Sequence, residues 1–261
     1  MNKSPRFMIA APSSGSGKTM LTCGLMRLLQ KKGYEVQGFK CGPDYIDPMF
    51  HTRVLEIPSV NLDSFCAEDE VLRYLFDRRM QQRYSEMSIA VLEGVMGYYD
   101  GLAGRSIKGS TCDIAKITDT PVILCIDTKG MSLSVVPYVK GFLEYIPDSH
   151  IQGVILNRCS KGMYPILKEL LETQLNIAVI GYMPVLEDCE LPSRHLGLYL
   201  PQEIQDFQQK VERIADTLAD TLDMECLLGL AKSAPALETK APDNWSSILQ
   251  QTEPVIRIAI A

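Results

Sequence analysis

The chain has 261 residues, 46% of them hydrophobic and 22% charged, the balance of an ordinary globular protein with room for one large core or two small ones. A net charge of -6 and a pI near 5.2 argue against a general nucleic-acid binder, which is usually basic. No apolar run approaches the roughly 18–20 residues of a membrane span, and the basic start MNKSPRF leads straight into a strand, unlike a signal peptide.

In chain order, Phe7 to Ala11 reads as a short buried strand. A small-residue loop follows, Pro12 to Gly17, then Lys18 and Thr19, after which Leu21, Leu25, Leu28 and Leu29 recur at helical spacing. Strand, small-residue loop and helix in that order turn a Gly-Lys-Thr match into a nucleotide-site motif. Ser14, Gly15, Ser16 and Gly17 let backbone N–H groups converge on a phosphate, and the helix start adds free N–H groups and its positive dipole end. Lys18 then reaches the terminal phosphates and the Thr19 hydroxyl ligates Mg²⁺. Pro12 departs from the motif, standing where its first glycine belongs.

Gly33 ends the first helix, and Glu35 to Lys40 is a second strand. Cys41 to Asp63 reads as a loop with three prolines and paired acids, and Ala67 to Met80 as a helix. Further strands are expected at Ser88 to Leu92, Pro121 to Ile126, Ile151 to Leu156 and Ile177 to Tyr182. They alternate with helices at Cys112 to Ile117, Ser132 to Leu143, Tyr164 to Leu175 and Ile204 to Leu222. Continuously apolar strands alternating with helices predict an α/β fold, a mostly parallel sheet with helices on both faces. Residues 231–253 shift to Ala, Pro, Ser, Lys and Gln and read as a linker. Pro254 to Ala261 looks like the first strand of a further domain.

Eight cysteines form no C-x-x-C or zinc-spaced set, and only three histidines exist. Cys41, Cys125 and Cys159 fall in or beside strands as small hydrophobes, and a reduced, cytoplasmic protein is the simplest account.

Ligands in open α/β sheets sit at the carboxyl ends of strands, and that rule gathers the unusual residues. Lys40 ends the second strand, with Asp44 and Asp47 next in its loop; Glu93, Asp127 and Asn157 end three others. Glu93, Asp44, Asp47 and Thr19 make a set for Mg²⁺, which prefers a few carboxylates plus phosphate oxygens. Lys40 suits a second phosphate contact. Asp127-Thr128-Lys129-Gly130 matches the D-x-x-G of GTPases by chance-level similarity, and the base-reading N-K-x-D is missing at Asn157-Arg158. ATP is therefore the expected nucleotide, with Asn157 reading its base and Arg158 beside it. Arg194 and His195 form a basic pair in a late loop, and Ser110 and Thr111 start a helix near Arg105 and Lys108; each could hold an anion.

Several ordered segments resemble the N-terminal synthetase domain of the cobyrinic acid a,c-diamide synthase family. They are APSSGSGKT (Ala11–Thr19), FKCGPDYIDP (Phe39–Pro48), NLDSF (Asn61–Phe65), LEGVMGYYDG (Leu92–Gly101), GSTCDIA (Gly109–Ala115), ILNR (Ile155–Arg158) and PSRHLGL (Pro192–Leu198). The resemblance covers essentially the whole chain and implies a P-loop NTPase-type, dethiobiotin synthetase-like fold over residues 1–230. It implies ATP-dependent amidation of the a and c acetates of cobyrinic acid, through an acyl phosphate. Ammonia would come from glutamine in a C-terminal glutaminase domain beginning at residues 254–261. Hydrogenobyrinic acid and nickel sirohydrochlorin are alternative substrates within the group. The same resemblance gives Lys18, Lys40, Asp44, Asp47 and Glu93 catalytic roles and puts Tyr45, Ser110, Thr111, Arg194 and His195 on the substrate side. It implies no nucleic-acid or membrane partner and leaves room for a homodimer. A partition-type switch ATPase resembles the same loop but carries an early lysine where this chain has Ser13. Dethiobiotin synthetase lacks the PDYID and RHLGL segments.

Overall fold

The structure, a computed structural model, describes residues 4–82, 85–189, 193–194, 197–198 and 206–242. Seven strands form one sheet: β1 (Arg6–Ala10), β2 (Glu35–Cys41), β3 (Ser59–Leu62), β4 (Ser88–Glu93), β5 (Val122–Asp127), β6 (Ile151–Asn157) and β7 (Ala178–Met183). Their order is β3-β2-β4-β1-β5-β6-β7, and every pairing between them is parallel. The central strands β1, β4 and β5 are mostly apolar because both faces of the sheet are covered. In β1, Phe7 and Ile9 face one core layer while Met8 and Ala10 face the other.

The first layer is closed by α1 (Lys18–Lys31), α7 (Phe207–Thr221) and α8 (Met224–Ser233), through Leu25, Leu29, Val211, Leu218 and Leu227. The second is closed by α3 (Asp69–Gln81), α4 (Thr111–Ile117), α5 (Val135–Glu144) and α6 (Tyr164–Leu175), through Leu72, Phe76, Ile114, Val139 and Leu171. The expected α/β architecture with helices on both faces is what the chain adopts. Cys41, Cys125 and Cys159 are buried in it as free thiols. No helix among the described residues is long and apolar enough to cross a membrane.

Two regions depart from the sequence reading. The expected loop 41–63 holds a short helix α2 (Ile46–Met49), a π turn (Phe50–Val54) and the edge strand β3. Strand β3 forms because its backbone pairs with β2, Gly38 to Ser59 through Cys41 to Leu62, and not because its four residues are apolar. The linker expected from residue 231 starts later, since α8 runs to Ser233 with Leu227 and Ala231 fully buried. After α8 the chain is fastened to the start of β1: the buried Arg6 guanidinium donates to the carbonyls of Ser4, Thr118, Asp119 and Pro235. Residues 243–253 of that linker and the strand expected at 254–261 lie outside the described residues.

Candidate functional site

Parallel strands leave their carboxyl ends on one side of the sheet, and the loops there enclose a cleft of about 630 Å³. Ser14, Gly15, Gly17, Lys18, Thr19, Lys40, Asp44, Asp47, Asn157 and Arg158 all line it. The loop between β1 and α1 turns through Gly15 and Gly17, whose φ values of 76° and 87° favour glycine. Gly17 caps α1, and a Cβ there would stand 2.4 Å from Asn157 Nδ2. Asn157 in turn donates that Nδ2 to the Ser16 carbonyl at 2.8 Å, so the end of β6 braces the loop. Ser16 is buried and donates to the Ser13 carbonyl at 3.0 Å. Pro12 acquires a structural context: its carbonyl lies 2.5 Å from where a Gly97 Cβ would be, and Tyr98 N–H donates to Ala11 O at 2.8 Å. The loop entry thus runs hard against the segment that follows β4.

Lys18 is 8% exposed and donates to the carbonyls of Ser13, at 3.2 Å, and Met96, at 2.6 Å. Burial lowers its pKa, only partly opposed by Glu93. At the second residue of α1, Thr19 Oγ1 donates to Glu93 Oε1 at 2.8 Å and lies 3.5 Å from Asp47 Oδ1.

Behind the loop is a buried charge cluster. Strands β2 and β4 are neighbours in register, Lys40 opposite Glu93, so both side chains leave the sheet at one level. The Lys40 ammonium pairs with Asp47, lies 3.4 Å from Glu93 Oε1 and 3.8 Å from Asp44 Oδ2, and donates to Gly94 O at 2.9 Å. Lys40 is 2% exposed and Glu93 0%. Burial works against the Lys40 charge, but Glu93, Asp47 and Asp44 outweigh it and hold its pKa above the ordinary lysine value. Burial would likewise raise Glu93, yet Lys40 and bonds from His51 and Thr19 hold it well below the carboxylate range. Asp47 goes the other way, raised by burial and by the charge of Glu93 despite Lys40.

Asp44 has two tasks. Its Oδ1 accepts from Ile46 N–H at 2.9 Å, the turn that starts α2, while Oδ2 faces Lys40. Asn61 of β3 holds this loop by donating to the carbonyls of Gly42, at 2.8 Å, and Asp44. Asp127 and Arg158 form a two-point ion pair at the ends of β5 and β6. Burial pulls Asp127 upward, but Arg158 and the Lys129 N–H prevail and lower it.

Tyr45, before α2, is 67% exposed. Ser110 and Thr111 are not exposed at all. Ser110 caps α4 by accepting from Asp113 N–H, and Thr111 exchanges hydrogen bonds with both backbone groups of Val95. The anion-holding role expected of these two hydroxyls is thereby displaced, because the fold spends them on helix and loop. Arg194 lies in β8 (Ser193–Arg194), which pairs antiparallel with β9 (Gly197–Leu198), and His195 lies outside the described residues.

Two groups at the site escaped the sequence reading. His51, in the π turn, is 0% exposed and bonds Glu93 Oε2 through Nε2 at 2.9 Å. Lying 42 residues before Glu93, it carried no signal beyond the FHT that follows PDYIDP. The second is an apolar wall from Met183, which ends β7 as the strand partner of Asn157, and from Pro184, Val185 and Leu186 after it; only the carboxyl-end position of the segment marked it. Among the described residues no cluster of three acidic, histidine or cysteine side chains forms a complete metal cage. Mg²⁺ takes one or two carboxylates together with phosphate oxygens and waters. The hydroxyl of Thr19 and the carboxylates of Glu93 and Asp47, gathered round an ammonium, are the matching hard-oxygen donors.

Comparison with known proteins agrees with this geometry. The chain is 39% identical over 257 residues to a cobyrinate a,c-diamide synthase of Priestia megaterium, covering 98% of this chain and 54% of that protein. It is 42% identical to those of Listeria innocua (92% and 52% covered) and Salmonella typhimurium (91% and 52%). The chain thus spans about half the length of these curated relatives. Among solved structures, the signal recognition particle receptor FtsY of Elizabethkingia anophelis, in complex with GDP, overlays with a TM-score of 0.51 at 10% identity. The overlay covers 70% of this chain and 58% of that one, and the likeness is one of fold alone. Residues 7–198 match the CobQ/CobB/MinD/ParA nucleotide binding domain, a span running from β1 to β9 that includes the phosphate loop, Lys40, Asp44, Asp47, Glu93 and Asn157. The chain belongs to that nucleotide-binding family.

Proposed function

We propose that this chain is the ATP-dependent amidating domain of a cobyrinate a,c-diamide synthase, activating the a and c acetates of a corrinoid by phosphorylation before ammonia displaces the phosphate. The observation that supports it best is the buried set Lys40, Asp47 and Glu93, joined by the half-buried Thr19, packed directly behind the phosphate loop. The relatives' shared name supplies the substrate class. Thr19, Glu93 and Asp47, with Asp44 beside them, would hold Mg²⁺, which would supply charge neutralisation for the phosphates.

The chain's own residues do the rest. The backbone of Ser14–Gly17 and the start of α1 bind the polyphosphate, and Lys18 leaves the carbonyls of Ser13 and Met96 for the γ-phosphate. Asn157, its Nδ2 committed to Ser16 O, turns its remaining acceptor, Oδ1, to the base. That fits the exocyclic amine of adenine, and the wall from Met183 to Leu186 covers the ring. Lys40 offers its charge to the transferred phosphoryl group. A substrate carboxylate oxygen attacks the γ-phosphorus, the bridging P–O bond breaks, and ADP leaves with the electron pair. The lone pair of ammonia then attacks the acyl carbon; the C–O bond to phosphate breaks, inorganic phosphate departs and nitrogen gives up a proton. Tyr45, Arg194 and His195 are the candidates for holding the other carboxylates of the substrate. Ammonia delivery from glutamine belongs to a further domain, and cytoplasmic location and a homodimeric state remain part of the same reading.

The test is incubation of the chain with ATP, Mg²⁺, ammonium and, separately, cobyrinic acid, hydrogenobyrinic acid and nickel sirohydrochlorin. Amide formation is read by mass spectrometry and ADP release in parallel. One or two amides on a single macrocycle, with matching ADP, is the expected result. ATP turnover that ignores all three acids overturns the reading and turns attention to a switch ATPase.

A further inference from the structure

The proposed nucleotide–metal site contains a histidine that touches neither the phosphate loop nor the cleft surface. His51 is fully buried, with both ring nitrogens bonded: Nε2 to Glu93 Oε2 at 2.9 Å and Nδ1 to Ser59 Oγ at 3.0 Å. The Glu93 carboxylate can only accept, so Nε2 carries a proton and donates it there, while the Ser59 hydroxyl, able to donate or accept, bonds Nδ1.

The backbone leaves the ring little freedom. His51 sits in the π turn Phe50–Val54, a geometry over-represented at functional sites. Phe50 packs on Phe207 of α7 with ring centroids 4.7 Å apart, and the His51 carbonyl accepts from Ile57 N–H at 2.9 Å. Ser59 is fixed in β3 by its pairing with Gly38. A line of contacts thus runs from the sheet edge through Ser59 and His51 to Glu93. It occupies Oε2 and leaves Oε1 facing Thr19 and Lys40.

Resting on the reading of this site as a metal–nucleotide site, we infer that His51, itself oriented by Ser59, is a positioning residue for the metal. It holds the Glu93 carboxylate so that a single oxygen, Oε1, is presented beside Thr19. A carboxylate bonded at one oxygen cannot turn its plane, and a ligand fixed in advance costs less to organise when the ion arrives. Removing such an outer partner typically weakens metal binding about 10–100-fold.

The test uses the chain with a non-hydrolysable ATP analogue and Mn²⁺, reading free Mn²⁺ by electron paramagnetic resonance. Analogue affinity is measured separately in EDTA. His51→Leu fills similar space without a donor, while His51→Gln can set its side-chain NH₂ near the Nε2 position. Leu is expected to weaken Mn²⁺ about 10–100-fold with analogue affinity in EDTA unchanged, and Gln to recover most of that loss. Ser59→Ala should give a smaller loss in the same direction, and it decides the matter should the Leu variant fail to fold. Mn²⁺ affinity unchanged in the folded variants, equal losses for Leu and Gln, or a parallel fall in EDTA would each overturn the inference. If the unmodified chain with the analogue takes up no Mn²⁺, the metal reading itself fails and the inference with it. That outcome is recognised without any variant.

Discussion

Lys40 can be tested as an internal counter-ion before any substrate is added. Lys40→Met keeps the length of the stem and removes the one ammonium lying among Asp44, Asp47 and Glu93. Because Lys40 and Glu93 are 2% and 0% exposed, no solvent screening softens the change. Breaking a buried pair by removing one partner costs about 3–5 kcal/mol. For a chain of this size that is a fall in melting temperature on the order of 10 °C. The pH dependence is more telling than the size. With Lys40 present, Glu93 has a folded pKa below its ordinary 4.5, so its contribution is present above that value and lost as pH falls through the folded one. Without Lys40, only the His51 and Thr19 bonds oppose burial at Glu93, whose folded pKa moves up, and Asp47, already raised above its unfolded value, rises further. A carboxyl raised above its unfolded value stabilises on the acid side and ceases to do so as pH rises. The deficit of the variant should therefore be largest near about pH 8 and shrink toward about pH 5. Urea unfolding followed by circular dichroism, at several pH values and without nucleotide, measures it. A deficit below about 1 kcal/mol, or one that does not move with pH, would refute the counter-ion role.

Three further outcomes follow from the same structure. Asp47→Asn should stabilise the nucleotide-free chain by on the order of 1 kcal/mol in urea unfolding, because burial and Glu93 make the Asp47 charge unfavourable. Since a raised carboxyl stabilises below its unfolded pKa and loses that as pH rises, the gain should grow with pH; a loss of stability at neutral pH would contradict it. Gly17→Ala places a methyl on a φ of 87° and against Asn157, and titration with a fluorescent ATP analogue should show affinity reduced about tenfold or more. Arg6→Met orphans the carbonyls of Ser4, Thr118, Asp119 and Pro235, two of these bonds being fully buried, and should cost about 2–4 kcal/mol by chemical denaturation.

What could be read in advance, and what could not, divides along physical lines. Strands β1, β4, β5 and β6 were legible because a centre strand covered on both faces must be apolar throughout. The phosphate loop and the acids at strand ends were legible because a backbone that must approach a phosphate, or an ion, restricts residue type. Strand β3 was not, since Ser59–Leu62 is made a strand by its partner's backbone, and α8 was obscured by its short span beside a Pro-rich stretch. Ser110 and Thr111 looked like anion contacts because a cap and an anion site use the same hydroxyls; only their burial separates the two. His51 depends on a π turn and a partner 42 residues away, and neither leaves a local pattern.

The Arg6 fastening also has a topological consequence. Arg6 opens β1, and five residues after β1 begins the chain enters the phosphate loop at Ala11 and Pro12. Through Pro235, the segment after α8 is attached to the opposite end of that strand from the loop, and Thr239 is tied nearby to Asp77. Arg6 thereby ties the segment after α8 to the same five-residue strand that leads into the phosphate loop, so the two are attached to opposite ends of β1.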